Sequence, residues 1–326
     1  GGKEKDGVIE IRRGVEDLSL GNSHYAQVRI LVDGNKYLKG MAVYSDDMPD
    51  GVDVVFNTNK SKNVPKMDVL KNITNDPDNP FGSLIKAGGQ SYYIDKDGKR
   101  QLSLINKRAE EGDWGDWKDS LPSQFLSKQS ITLIKKQLNL AAADKRAEFD
   151  EICSLTNPTV KKALLKSFSD DCDAAAVHLQ AAALPRQKYH VILPITSLKD
   201  NEVYAPNYKN GEQVALIRYP HGGTFEIPIL TVNNKHAEAR RILGNTPTDA
   251  IGINSKVAER LSGADFDGDT VMVIPTGGKV KITSTPPLKG LEGFDPKMEY
   301  PERPGMKYMK NTQTEMGKIS NLITDM

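Results

Sequence analysis

Ala264-Asp265-Phe266-Asp267-Gly268-Asp269 is the stretch on which the reading of this 326-residue chain turns. Three carboxylates alternate around a glycine. In a tight loop, alternate carboxylates can converge on one point, and the glycine permits the sharp backbone turn. So many carboxylates repel one another unless a cation neutralises them. Hard oxygen ligands of this kind suit Mg²⁺ or Ca²⁺. A solvated acidic turn is the competing reading of any single Asp-x-Asp pair. The flanks weigh against it here: Ala264 and Phe266 on one side and the apolar run Val271 to Ile274 on the other set the carboxylates against a core.

Two other metal motifs can be tested by counting. A calcium loop of the EF-hand type wants glycine at its sixth position and glutamate at its twelfth. Counting from Asp265, these are Thr270 and Thr276, so the pattern fails. Haloacid-dehalogenase-type phosphatases also carry Asp-x-Asp-Gly, but after a hydrophobic strand. Here a helical-looking run, Lys256 to Leu261, precedes the aspartates and the strand follows them. A Mg²⁺-dependent phosphohydrolase stays as the alternative enzymatic reading.

Outward from the aspartates, the chain divides by pattern. From Gln27 onward Val28, Ile30 and Val32 alternate as in a strand. Asp33-Gly34 marks a turn, and Met41 to Tyr44 and Val52 to Phe56 read as further strands. Residues 60–89 are rich in Asn, Pro, Asp and Lys and read as loop. Tyr92 to Ile94 and Leu102 to Ile105 flank Asp97-Gly98, a hairpin signal. Between Pro122 and Leu184 the spacing becomes helical, punctuated by Asn157-Pro158. Strands return with His190 to Ile195, Val214 to Ile217, Phe225 to Val232 and Val271 to Ile274. Helices are predicted over Lys235 to Ile242, Ile253 to Leu261 and Thr312 to Thr324.

Lys and Arg number 44 and Asp and Glu 43, so any affinity for nucleic acid comes from a local patch and not from a global field. Cys153 and Cys172 lack metal-type spacing and read as reduced thiols, pointing to the cytoplasm. No apolar run is long enough for a membrane span. The opening Gly1-Gly2-Lys3 has no methionine and reads as a cloning remnant, so a piece of a longer protein is expected.

The aspartate run resembles the metal-binding signature of the largest subunit of cellular RNA polymerases, the double-psi β-barrel family. Upstream, Ile217-Arg218-Tyr219-Pro220-His221 followed by Phe225-Glu226-Ile227-Pro228 is similar to that family's arginine-proline segment. Ala250 to Asn254 and the helix to Leu261 stand where the family approaches its metal loop. Thr312 to Met316, running to Ile323, resembles the helix beyond it. Leu38-Lys39-Gly40-Met41-Ala42 looks like the lysine-bearing stretch of the partner barrel. Both barrels on one chain is the arrangement of phage-encoded single-chain RNA polymerases and, more distantly, of RNA-silencing RNA-dependent RNA polymerases.

The resemblance implies an α+β fold of two double-psi β-barrels joined by a helical connector. The expected division is an N-terminal segment 1–23, a lysine-bearing barrel 24–121, a helical connector 122–187, a metal-binding barrel 188–280 and a tail 281–326 that stops before a bridge helix. It implies nucleotidyl transfer from nucleoside triphosphates to an RNA 3′-hydroxyl on a DNA or RNA template, in the cytoplasm of a bacterial or phage-infected cell. Asp265, Asp267 and Asp269 are the expected Mg²⁺ ligands, and Lys39 and Lys60 the candidates for contacting phosphate. Arg218 is expected at the nucleotide sugar, with Pro220 beside it. His221 is read as either a substrate contact or a structural histidine. Trp114 and Trp117 read as a packed loop. A third function class, a non-catalytic two-barrel scaffold binding nucleic acid or a protein, also remains.

Overall fold

In a computed structural model, the described residues are 2–59, 66–76, 80–81, 92–107, 131–177, 188–218, 221–276, 282–294, 296–307, 309–312, 315, 318–319 and 322. The architecture is α+β. Its first part carries β1 (Val8–Ile11), β2 (Tyr25–Val32), β3 (Lys36–Tyr44), β4 (Val54–Phe56), β5 (Lys71–Asn72) and β8 (Ile105–Lys107) in one sheet. The path is β4-β1-β3-β2-β8, with β5 paired to β3. The β1–β3 pair is parallel and the rest antiparallel. A separate hairpin pairs β6 (Tyr92–Ile94) with β7 (Arg100–Leu102) around the Asp97-Gly98 turn.

Helices α1 (Ile131–Ser154) and α2 (Pro158–Val177) follow and pack on each other. Asn157 separates them and caps α2: its Oδ1 accepts from the backbone N–H groups of Thr159 and Val160 at 3.0 and 3.2 Å. Proline at the first helical position costs nothing, because its missing N–H would be unpaired there anyway.

The second sheet holds β9 (Lys188–Pro194), β10 (Glu202–Val203), β11 (Gln213–Ile217), β12 (Ile229–Val232), β13 (Ala250–Ile253) and β14 (Thr270–Pro275), in the order β10-β12-β11-β14-β9-β13. Tyr204, directly after β10, bridges to Gly252 of β13 through two backbone hydrogen bonds of 2.9 Å. The two ends of the sheet thereby meet, and it forms a nearly closed barrel. Helices α3 (Ala237–Leu243) and α4 (Ser255–Arg260) flank β13.

Four sequence expectations are corrected. Residues 1–23, expected to lie outside the first sheet, supply β1, and Leu18 and Leu20 enter its core. Leu102 to Ile105 is not one strand: β7 ends at Leu102, and β8 begins at Ile105 in a different sheet. Phe225 to Val232 begins as a 3-10 turn, Thr224–Glu226, before β12. Ile253, expected to open a helix, instead ends a strand, Ala250–Ile253, which is buried at every position and so shows no alternation in the sequence.

Period-two alternation decides what faces what. On β3, Leu38 and Ala42 pack into a core within the first sheet, while Met41 and Val43 join the core of the second sheet. Val8 of β1 and Tyr25 of β2 also join it. The two units thus share apolar packing. Lys39 lies in register with Met41 and Val43, on the face toward the second sheet; so does Gln27, two residues from Tyr25.

Phe266 anchors this shared core at 1% exposure. Phe266→Ala is expected to destabilise the protein by about 3–5 kcal/mol through lost transfer energy and a residual cavity. Equilibrium urea unfolding checks this; a loss below about 1 kcal/mol would mean the loop is not held by its aromatic anchor.

Candidate metal centre between the two sheets

The metal loop runs from the end of α4 to the start of β14. Leu261 and Phe266 bury themselves beneath it, and Val271 to Ile274 fix its far end. Asp265, Asp267 and Asp269 each remain half-buried and offer carboxylate oxygens that all lie within 4.8 Å of one another. The loop folds back on its own acids. The Asp265 N–H donates to Asp269 Oδ2 at 3.1 Å, and the Asp267 N–H donates to Asp265 Oδ1 at 3.1 Å. Gly268 takes φ +131°, and an added Cβ would collide with the Gln27 amide, so only glycine fits.

Besides Lys39, the first unit reaches this loop at three points. Phe266 N–H donates to the Asp6 carbonyl at 2.8 Å. Gly7 lies against the Asp267 backbone so closely that a Cβ there would sit 2.5 Å from the Asp267 nitrogen. Gln27 Nε2 donates to the Asp267 carbonyl at 3.5 Å. Sequence reasoning missed all three. Residue spacing cannot signal them, because the partners lie more than 200 residues away.

Two cations flank the carboxylates. Lys39 Nζ stands 3.5 Å from Asp267 Oδ2, and Arg218 Nη2 stands 3.1 Å from Asp269 Oδ2. The other Arg218 terminal nitrogen donates to the Ser262 carbonyl at 3.3 Å. His221 is 9% exposed, and neither ring nitrogen has a hydrogen-bond partner among the described residues. Burial pushes its pKa down, opposed by the charge of Glu226. Lys60, Pro220, Trp114 and Trp117 lie outside the described residues.

Burial first, then the charges of Asp267 and Asp269, pushes the Asp265 carboxyl up to about 7. Asp6 is also raised, chiefly by burial, with Asp267 adding to the effect. The pocket is therefore short of positive charge even with Lys39 and Arg218 in place. Three converging hard oxygens in that state fit a divalent cation. The aspartates precede β14 and follow a helix, the reverse of the phosphatase order.

No protein-family model and no curated protein matches the chain. Among solved structures, the chain is similar to the RNA dependent RNA polymerase QDE-1 from Thielavia terrestris, with a TM-score of 0.43 and 14% identity. The likeness covers 99% of this chain, which spans 40% of that one. The chemistry open to the protein is therefore read from its own side chains. No helix among the described residues is long and apolar enough to cross a membrane.

The raised Asp265 carboxyl carries a definite pH signature. Its folded-state pKa lies above the ordinary value of 3.8. The folded protein thus holds a proton that the unfolded chain gives up, and this stabilises the fold fully at low pH. The contribution is lost as pH rises toward about 7. With a chelator present, the parent should lose stability relative to Asp265→Asn across this window, and saturating Mg²⁺ should shrink the difference. Parallel pH–stability curves for the two proteins would refute the assignment.

Proposed function

We propose that the chain is the catalytic core of an RNA polymerase, built from two double-psi β-barrels, the first over 24–121 with β1 added from the N-terminal segment and the second over 188–280, with a helical connector over 122–187. It joins nucleoside triphosphates to an RNA 3′-hydroxyl on a DNA or RNA template, in the cytoplasm of a bacterial or phage-infected cell. The observation that carries this reading is the meeting of Lys39 from one sheet with three aspartates from the other, across the interface between them. A phosphoryl-transfer site needs that pairing of a carboxylate metal cage with a cation for phosphate.

Asp265, Asp267 and Asp269 would hold Mg²⁺, which, with a second ion accompanying the nucleotide, would supply activation of the attacking hydroxyl and screening of the leaving pyrophosphate. The side chains do the rest. Lys39 offers a compact ammonium to the charge that develops on the phosphate, and Lys60 is the second candidate for that task. Arg218, with Pro220 beside it, orients the ribose, whose hydroxyl tells ribonucleotides from deoxyribonucleotides. His221 offers its ring nitrogens to the bound substrate.

Primer extension on matched DNA and RNA templates tests this. Any single change of the three aspartates to alanine should abolish extension. A loss of about 4 kcal/mol of transition-state stabilisation already means roughly a thousandfold in rate. Lys39→Ala should slow extension while Mg²⁺ binding persists. Extension at the parent rate by the triple aspartate variant would sink the proposal, and phosphate release from small esters would favour the phosphohydrolase.

Arg218→Ala should weaken ribonucleotide use by about 1–3 kcal/mol, the cost of leaving a buried hydroxyl unpaired. Competition between ribo- and deoxyribonucleotides reads this, and unchanged discrimination would remove Arg218 from the sugar.

A further inference from the structure

Arg218 is held from two sides, and only one of them is the metal loop. Its Nη2 pairs with Asp269, and its Nη1 donates to the carbonyl of Ser262. Ser262 is itself unusual. It adopts φ +55°, a left-handed conformation that side chains other than Gly, Asn and Asp rarely take. What keeps it there is visible in its hydroxyl, which donates to Glu226 Oε2 at 2.9 Å. The same oxygen accepts the Gly222 N–H at 2.5 Å. Glu226 thus joins the two segments that converge on Arg218: the loop that follows Arg218 and the turn after α4 that leads into the aspartates.

We propose that Glu226 is a positioning residue that fixes the Arg218 guanidinium against Asp269, acting through Ser262 and Gly222. The inference rests on the reading of Arg218 as a residue of the reaction site, and it adds a residue that touches neither metal nor substrate. A carboxylate suits the task because one oxygen can accept two donors at once, from two different segments. Charge-assisted hydrogen bonds of this kind are shorter and stronger than neutral ones. Without Glu226, the Ser262 hydroxyl loses its acceptor, the turn loses the contact that favours its left-handed conformation, and the carbonyl that seats Arg218 is free to move. Arg218 would then keep one anchor, Asp269, and lose its fixed orientation.

The test uses the full chain with Glu226→Ala, Glu226→Gln and Ser262→Gly. Glycine at 262 keeps the left-handed backbone and removes only the hydroxyl, so it stands in should Glu226→Ala fail to fold. The first readout needs no activity: the rate at which phenylglyoxal modifies Arg218, followed by peptide mass spectrometry, with Arg13 as internal reference. Glu226→Ala and Ser262→Gly should raise the Arg218 rate several-fold, and Glu226→Gln, whose amide oxygen still accepts, should restore slow modification. The second readout is the kinetics of nucleotide incorporation, where Glu226→Ala should raise KM for ribonucleotides more than it lowers kcat. An unchanged Arg218 rate in folded Glu226→Ala or Ser262→Gly would overturn the proposal, as would a Glu226→Gln variant indistinguishable from Glu226→Ala. Absence of nucleotide incorporation both by this chain and by a version extended past Met326 would refute the polymerase reading, while the modification rates would still decide the role of Glu226.

Discussion

Mutual repulsion among Asp265, Asp267 and Asp269 is the constraint around which the neighbouring structure is arranged. Two unit charges 4.8 Å apart repel by about 3.5 kcal/mol at an effective dielectric constant near 20. Attraction from flanking cations offsets only part of this. Lys39 and Arg218 are each a quarter to a third exposed, and ion pairs near solvent contribute about 0–1 kcal/mol. Backbone N–H donors within the loop add a little more. The remainder helps raise the Asp265 carboxyl. A divalent ion would add positive charge where it is short, and Phe266 and β14 fix the loop backbone from below so that its acids stay half-buried.

That backbone is not fixed by the second sheet alone. The Asp6 carbonyl and the close approach of Gly7, both just before β1, and the Gln27 amide of β2 all bear on Phe266, Asp267 or Gly268. Val8, Met41 and Val43 pack into the same core as Val271 and Val273. The Tyr25 hydroxyl donates to Asp249, beside β13, and burial together with that carboxylate raises the phenol's pKa. The metal loop therefore belongs to both units. A shift of one sheet against the other would change the separation of Lys39 and Asp267 and the shape of the carboxylate cluster together.

The sequence was most legible where a pattern is local. The aspartate run, the alternation in β2, the Asp97-Gly98 turn and the Asn157-Pro158 break each carry their cause within a few residues. Legibility failed where burial is complete or the partner is distant. Ala250 to Ile253 is buried on both faces, so period two vanishes. Val8 to Ile11 is four residues long and becomes a strand only because β3 and β4 flank it. Gln27 reads as an ordinary polar position in a strand until Gly268 is placed over its side chain. Glu226 stands in the segment that resembles the family's arginine-proline stretch, but nothing local signals that the turn at Ser262 closes on it.

Which carboxyl holds the proton follows from how the cations are shared out. Asp267 has Lys39, carried by the first sheet, and Asp269 has Arg218, carried by the end of β11. Asp265, among the described residues, has a backbone N–H and two acidic neighbours but no cation of its own. Burial is the largest cause of its shift, followed by the charges of Asp267 and Asp269, and together they favour its protonated form. Loading the site then requires that this proton leave, so metal affinity and the state of Asp265 are linked: each disfavours the other by the same free energy. A proton on Asp265 and a cation held by the three carboxylates therefore compete for the same oxygens.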